Sequence, residues 1–282
     1  VRALVKVLAE KPDVKTLNKA IQASLSLESL AGCADEQALL REHPLPQDPK
    51  QRAAVQRLSD VLAYVKALDK AGRYKDGYDL AVDAATEAQQ TAYRPLQAAA
   101  QYQYGYMLDR MGKYGESEAA LQRASQIASE TNNPLLLAKA QTDLIWVVGY
   151  NLSRREEGLL YGQMAALALN LAGGTHPKEL ALLRSYLGTI HTSMGRYNES
   201  EQKYREAIQI YEKHHIVDQT RLGTLNNNMG VLQYKQGNFA KAEQHYKAAL
   251  SIYEKHLGPR HPRLAYPLLN TSLVLVRRGH YP

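Results

Sequence analysis

One cysteine, one phenylalanine and one tryptophan in 282 residues leave little room for several kinds of chemistry. Cys33 alone closes no internal disulfide and builds no cysteine-based zinc site, so it is expected to be a small buried apolar residue. No stretch reaches the roughly 18 to 20 uncharged apolar residues of a membrane-spanning helix. The best, Leu135 to Val148, is interrupted by Lys139 and Asp143. A Gly-x-Ser-x-Gly elbow, a Gly-rich nucleotide loop, a His-Arg-Asp catalytic loop and an Asp-Phe-Gly are all missing from this sequence. No catalytic residue and no cofactor site are therefore assigned. Histidines gather only at His214-His215 and at His245, His256 and His261, without the convergent acid or cysteine a metal centre needs, so no metal is assigned either. Asn-x-Ser/Thr matches at Asn151, Asn198 and Asn270 are what chance provides.

Charge of one sign is only mildly short. The net charge is +7, and from Glu201 onward 12 Lys and Arg face 6 Asp and Glu. These basic residues are spread along the chain, not clustered with stacking aromatics, so no nucleic-acid partner is expected.

What is abundant is repetition. Gly72-Arg73-Tyr74, Gly112-Lys113-Tyr114, Gly195-Arg196-Tyr197, Gly237-Asn238-Phe239 and Gly279-His280-Tyr281 recur at intervals of 40, 83, 42 and 42 residues. Such a period marks stacked supersecondary units. Seven residues before the glycine stand Gly105, Gly188 and Gly230; five after it come Gly77, Ser117, Ser200 and Ala242; twelve after it come Ala84, Ala124, Ala207 and Ala249. Small residues at those spacings let two helices touch, while Leu121, Tyr204 and Tyr246 fill the holes they leave. Each unit is thus a helical hairpin, whose glycine ends the first helix in the left-handed conformation. Second helices are expected to start with side-chain caps, as at Asn198 with Glu201 three residues on. Acids such as Glu116, Glu118, Glu156 and Glu157 there suit the helix dipole. Prolines at 95, 134, 177 and 262 mark entries to first helices.

The double interval places a divergent copy at Ser153-Arg154-Arg155, with Gly158 and Ala165 at the small positions. Trp146 replaces the crossing glycine there, so a widened or irregular helix pair is expected. Ahead of the array, residues 1–50 are expected to form a leader that caps the first repeat: a helix spaced on Leu17, Ile21, Leu25 and Leu27, a short segment from Asp35 to Arg41, and a connector through Pro44, Pro46 and Pro49. Residues 51–282 are the array, about five repeats and a partial sixth. A start in apparent mid-helix and a stop just after a signature suggest a piece of a longer polypeptide.

The period, the hairpin unit and the small, aromatic and alanine positions resemble tetratricopeptide repeats over residues 51–282. The period exceeds the usual 34 residues of that family. Leu225-Asn226-Asn227-Asn228-Met229-Gly230 through Leu257-Gly258-Pro259-Arg260-His261-Pro262 resembles the extended repeats of kinesin light chains. A second resemblance rests on Cys33-Ala34-Asp35-Glu36-Gln37-Ala38-Leu39, the proline connector, Gly72-Arg73-Tyr74 and Trp146-Val147-Val148-Gly149-Tyr150. These are similar to the repeat-bearing sensor region of bacterial membrane-anchored serine/threonine protein kinases. The family implies an all-α right-handed superhelical solenoid that binds protein or peptide and is itself not an enzyme. The kinase resemblance implies an extracytoplasmic site of action; the light-chain resemblance implies a cytoplasmic adaptor.

In this family first helices line the inner wall. Projecting them from the crossing positions brings Tyr102, Tyr106 and Arg110, then Asp143 and Tyr150, then Tyr186 and Thr189, then Asn227, Asn228 and Tyr234, then Asn270 and Arg277 to one side. Asparagine donates and accepts toward an extended peptide backbone, tyrosine adds apolar area with a hydroxyl, and arginine grips carboxylates. The Lys and Asn pairing of a carboxylate clamp is incomplete. An exposed last repeat offers a route to a homodimer.

Overall fold

The computed structural model describes residues 2–10, 20, 44–214, 216 and 219–279. Cys33, the helical leader segments at 17–27 and 35–41, His215, and the His280 and Tyr281 of the last signature lie outside them, apart from Ala20.

Twelve α-helices are described, and no strand among those residues. They are α1 (Arg2–Glu10), α2 (Pro49–Ala71), α3 (Tyr74–Gln89), α4 (Arg94–Arg110), α5 (Tyr114–Glu130), α6 (Pro134–Leu144), α7 (Arg155–Ala172), α8 (Pro177–Ser193), α9 (Tyr197–Lys213), α10 (Gln219–Lys235), α11 (Phe239–Leu257) and α12 (Ala265–Arg277). A π-helical turn, Ile145–Asn151, continues α6, and a 3-10 turn, Pro262–Leu264, precedes α12. The hairpins α2/α3, α4/α5, α6/α7, α8/α9 and α10/α11 stack in order, with α12 as the first helix of a sixth unit. The result is an all-α right-handed superhelical solenoid.

The chemistry of each turn repeats. The last residue before each second helix follows a left-handed residue: Gly72, Gly112, Gly195 and Gly237 have φ of 73 to 79°, and Ser153 adopts 60° in the divergent copy. At Gly112 no atom lies within 4 Å of where a Cβ would be, so only backbone conformation demands glycine there. Gly112→Ala is expected to cost about 1 kcal/mol in a denaturant titration, the left-handed penalty of one residue.

Entry to first helices follows proline and side-chain oxygens. Asp48 Oδ2 accepts from the Gln51 amide at 2.8 Å, and Asn133 Oδ1 from the Leu136 amide at 3.1 Å. Second helices do otherwise. Their first residue is the signature aromatic, or Arg155 in the divergent copy, and none of them has a side-chain cap. Arg196 is the cap of α9 and Asn198 lies inside its first turn, so the expected Asn198 cap is wrong. The tight left-handed turn leaves only two or three residues between the two helices, and that geometry replaces the cap.

Packing follows the small positions. Ser117, Ser200, Ala242, Ala84, Ala124, Ala207 and Ala249 are all buried. A Cβ on Gly105 would stand 2.9 Å from Leu121, one on Gly188 2.7 Å from Tyr204, and one on Gly230 2.4 Å from Tyr246. Each glycine is therefore the socket for the large residue opposite it. The Ser117 and Ser200 hydroxyls add hydrogen bonds to the Gly105 and Gly188 carbonyls at 2.7 and 2.8 Å. At the other end, α1 buries Val7 against Ala67, Leu68 and Ala71 of α2, and Glu10 pairs with Tyr64 and Arg73.

The third hairpin departs from this plan in an instructive way. In four turns the residue after the left-handed one donates to the carbonyl five positions back, as Lys113 does to Leu108 at 2.9 Å. Arg154 donates to Val148, six back, at 3.0 Å. The π turn has inserted one residue, which is the usual effect of such a bulge. Irregularity was expected here, but its cause is different: Trp146 does not sit at the helix crossing. Gly149 and Gly158 meet there backbone to backbone, with a Cβ on Gly158 only 2.6 Å from the Gly149 Cα. The helix pair is kept close, and the indole is turned away from the crossing.

Candidate peptide-binding groove

First helices of successive repeats touch one another at equivalent positions, and polar side chains bridge them at separations of 41 to 43 residues. Arg110 Nε donates to Asp69 Oδ1 at 3.0 Å, Tyr102 Oη to Asp143 Oδ2 at 2.8 Å, and Asn151 Nδ2 to Asp109 Oδ1 at 3.3 Å. Asn270 Nδ2 donates to Asn227 Oδ1 at 3.0 Å, and Arg277 Nε to Tyr234 Oη at 3.2 Å. These rungs fall into two clusters, one on α2, α4 and α6 with its π turn, and one on α10 and α12.

The larger cluster is centred on Asp143. Asp143 is 8% exposed, and burial pushes its pKa up to about 6 against the pull of the Tyr102 hydrogen bond. Asp109 raises it further, while Arg110 and Arg221 act the other way. Arg221 stands on α10, two hairpins beyond α6, so the curvature of the solenoid gathers groups from distant repeats around one space. Burial also raises Asp109. Tyr186 is pushed up to about 12, first by burial and then by Asp143, and Tyr102 and Tyr106 are raised by burial as well. All three tyrosines are hydroxyl donors at any ordinary pH. Arg110 is held by Asp69 and lies over the Tyr106 ring, its guanidinium 4.8 Å from the ring centre. Among the described residues, Asp109 and Asp143 have no ion-pair partner.

Beside these carboxylates the aromatic rings stack. Trp146 lies 4.6 Å from Tyr150 at an interplanar angle of 16°, and 5.3 Å from Tyr186. Tyr150 is 44% exposed. Trp146 and Tyr150, four residues apart on the π turn, face the same side, and π bulges gather at functional positions.

The structure thus brings Tyr102, Tyr106, Arg110, Asp143, Tyr150 and Tyr186 into one cluster and Asn227, Tyr234, Asn270 and Arg277 into another. Thr189 joins neither, because its hydroxyl faces the Tyr204 hydroxyl at 3.1 Å between α8 and α9. Asn228 is half-buried beside the second cluster, and its side chain makes no hydrogen bond among the described residues. Sequence reasoning missed Asp69, Asp109, Trp146, Asn151 and Arg221. A signal existed for three of them: Asp69 and Asp109 both stand three residues before a signature glycine, and Asn151 stands at the position of Arg110. Trp146 was hidden by the inserted residue. Among the described residues no three His, Cys, Asp or Glu converge as a metal site would require, and no helix is long and apolar enough to cross a membrane.

Models of the tetratricopeptide repeat match residues 98–131, 180–215 and 221–282, which are the second and fourth hairpins and the stretch from α10 onward. No curated protein matches the sequence. Similar solved structures include the nearly identical TPR-like repeats assigned to a kinesin light chain of Podosopora anserina, at 14% identity and a TM-score of 0.54 over 71% of this chain and 96% of that one. A thermophilic TPR protein of Thermus thermophilus is 20% identical, with a TM-score of 0.50 over 75% of this chain and 99% of its own. A signal transduction ATPase with numerous domains from Pyrococcus horikoshii, which has a tetratricopeptide repeat sensor, is 13% identical with a TM-score of 0.61. That match covers 96% of this chain and 42% of that one. At these identities the likeness is one of fold. With the family matches, the turn geometry and the small-residue sockets, it makes this chain an array of tetratricopeptide repeats.

Proposed function

We propose that this chain is a non-catalytic protein- and peptide-binding scaffold whose first-helix wall, between α4 and α10, receives an extended segment carrying a basic side chain. The observation that carries this is the pair Asp109 and Asp143, two carboxylates without an ion-pair partner among the described residues, beside the Trp146, Tyr150 and Tyr186 rings. A guanidinium or ammonium there gains charge-assisted hydrogen bonds and an aromatic face. The Asn227, Asn228, Asn270 and Arg277 cluster suits the backbone and a carboxylate farther along the same segment.

Trp146 is the chain's only tryptophan, so its emission reports occupancy of this wall directly. Selection from a random peptide display library is expected to enrich Arg or Lys, and the selected peptides to shift Trp146 fluorescence. Asp109→Asn with Asp143→Asn is expected to weaken them at least about tenfold, the loss of a charge-assisted pair. Replacing Asn227, Asn228 and Arg277 together is expected to weaken binding with helicity unchanged. Enrichment of acidic peptides, or binding indifferent to both variants, would turn attention to the outer wall.

In its cellular setting we propose the scaffold as the sensor or partner-recruiting segment of a bacterial serine/threonine protein kinase, acting outside the cytoplasm. The support is the resemblance carried by Cys33 to Leu39, the proline connector and Trp146 to Tyr150. A stand-alone adaptor of the light-chain type, in the cytoplasm, is the second reading, favoured by the extended period of the last repeats. The coding sequence ahead of Val1 decides between them. A kinase domain and about 20 apolar residues support the first; an in-frame start with neither supports the second.

A further inference from the structure

The outer wall of the solenoid carries a second feature, on α7. Leu160, Met164, Leu167 and Leu171 are 57, 49, 64 and 67% exposed and form one stripe at spacings of four, three and four residues. Register-equivalent positions on the other second helices are Asp79, Asp83, Thr86 and the capping residue Gln90 for α3, and Ala119, Arg123, Gln126 and Glu130 on α5. On α9 they are Gln202, Glu206, Gln209 and Lys213, and on α11 Gln244, Ala248, Ser251 and Lys255. Only α7 among these five helices is apolar at all four. It also carries no charged residue from Gly158 to Ala172, whereas each of the other four mixes acids and bases or carries several acids along its length. Single exposed leucines are ordinary, but an aligned, uncharged stripe on one helix of an otherwise charged wall marks a contact surface.

The spacing identifies the kind of contact. Apolar residues alternating by three and four are the seam of a coiled coil and accept another α-helix with the same pattern. A four-three-four spacing reads the same in both directions, so α7 is complementary to its own reversed copy. We propose that this chain self-associates through α7, two copies crossing antiparallel about a two-fold axis that passes between Met164 and Leu167. Leu160 then packs on the partner's Leu171, and Met164 on the partner's Leu167. No charge is buried, because none lies on the seam. Such an isologous contact closes on itself as a dimer. It leaves the groove on the first-helix wall open, and it uses neither α12 nor the last repeat.

The seam is about 16 Å long at the helical rise. Four half- to two-thirds-exposed side chains per copy fall well below the roughly 1,200 Å² of a standard interface, so the dimer is a weak one, with a dissociation constant on the order of 10 to 100 μM. Sedimentation velocity from about 1 to 500 μM, at about 0.15 M salt to screen the +7 charge, is expected to show a monomer–dimer equilibrium in that range. Met164→Glu with Leu167→Glu, both at exposed positions, is expected to keep the circular dichroism spectrum and raise the dissociation constant at least about tenfold. Leu269→Glu with Leu273→Glu on α12 is expected to leave it unchanged. Orientation is read in a Cys33→Ser background by mixing Met164→Cys protein with Leu167→Cys protein. Disulfide-linked heterodimer in excess of either homodimer supports the antiparallel register. A monomer at every concentration, a dimer insensitive to the α7 pair but lost with the α12 pair, or an α7 seam that takes up an added amphipathic helix without any dimer would each overturn the proposal.

Discussion

Gly158→Val is expected to lower the unfolding free energy by about 3 kcal/mol, at the upper end of overpacking penalties. A Cβ there stands 2.6 Å from the Gly149 Cα and 3.4 Å from its amide nitrogen, and a backbone has no rotamer by which to withdraw. The neighbouring sockets differ in kind: at Gly105 the nearest obstacle is the Leu121 side chain at 2.9 Å, which can shift. The loss is also expected to be regional. In a repeat array each unit is held by its neighbours, so prising α6 from α7 weakens the coupling between the first two repeats and the last three. Urea titration followed by circular dichroism should therefore show a broadened or divided transition where the parent shows a steeper one. Gly115→Ala, on α5 with no atom within 4 Å of the new methyl group, serves as the control and is expected to be neutral or stabilising by up to about 1 kcal/mol. A loss below about 1 kcal/mol for Gly158→Val would mean that α6 and α7 do not cross backbone to backbone.

That crossing also shows where sequence reasoning reaches its limit. The position of the third turn could be counted from its neighbours, since Ser153 takes the left-handed conformation that glycine supplies elsewhere. What could not be counted was one residue inserted by a π turn. Its only outward sign was an indole at the apparent glycine position, and steric reasoning from that sign gives a widened pair where the molecule has a close one. The sockets at Gly105, Gly188 and Gly230 were legible because a missing side chain and the large residue that fills it recur at fixed spacing. The groove was legible only in part. Tyr102, ten residues before a signature glycine, is placed on a wall by helix geometry, but its hydrogen-bond partner Asp143 lies 41 residues on and depends on how strongly the repeats curve. Thr189 illustrates the difficulty: one turn along α8 from Tyr186, it meets Tyr204 instead of joining the cluster.

Curvature is also what makes Asp143 the most consequential side chain in the groove. Asp143→Asn is expected to raise stability at pH 7.5 by about 3 kcal/mol and to change it little at pH 4. Burial lifts this carboxyl from 3.8 to about 6, so between those values the folded protein binds more protons than the unfolded chain, and stability falls as pH rises through the window. Two pKa units correspond to about 3 kcal/mol. Asparagine keeps an oxygen for the Tyr102 hydroxyl, now at 2.8 Å from Asp143, and removes the buried charge. Urea titrations of both proteins at pH 4, 6 and 7.5 give the comparison, since every other titrating group cancels in the difference; parallel curves at all three would sink the assignment. The same buried charge ties stability to recognition. A basic side chain docking beside Asp143 relieves the cost that the asparagine removes, and it binds the ionised carboxyl in preference to the neutral one. Affinity for basic peptides is therefore expected to fall as pH drops through 6, with protons released on binding near that pH. Calorimetric titrations in two buffers of different ionisation enthalpy measure that release. The Asn variant should show neither the release nor the pH dependence, while being the more stable protein. A groove that binds as tightly at pH 5 as at pH 7.5 would place the basic side chain elsewhere.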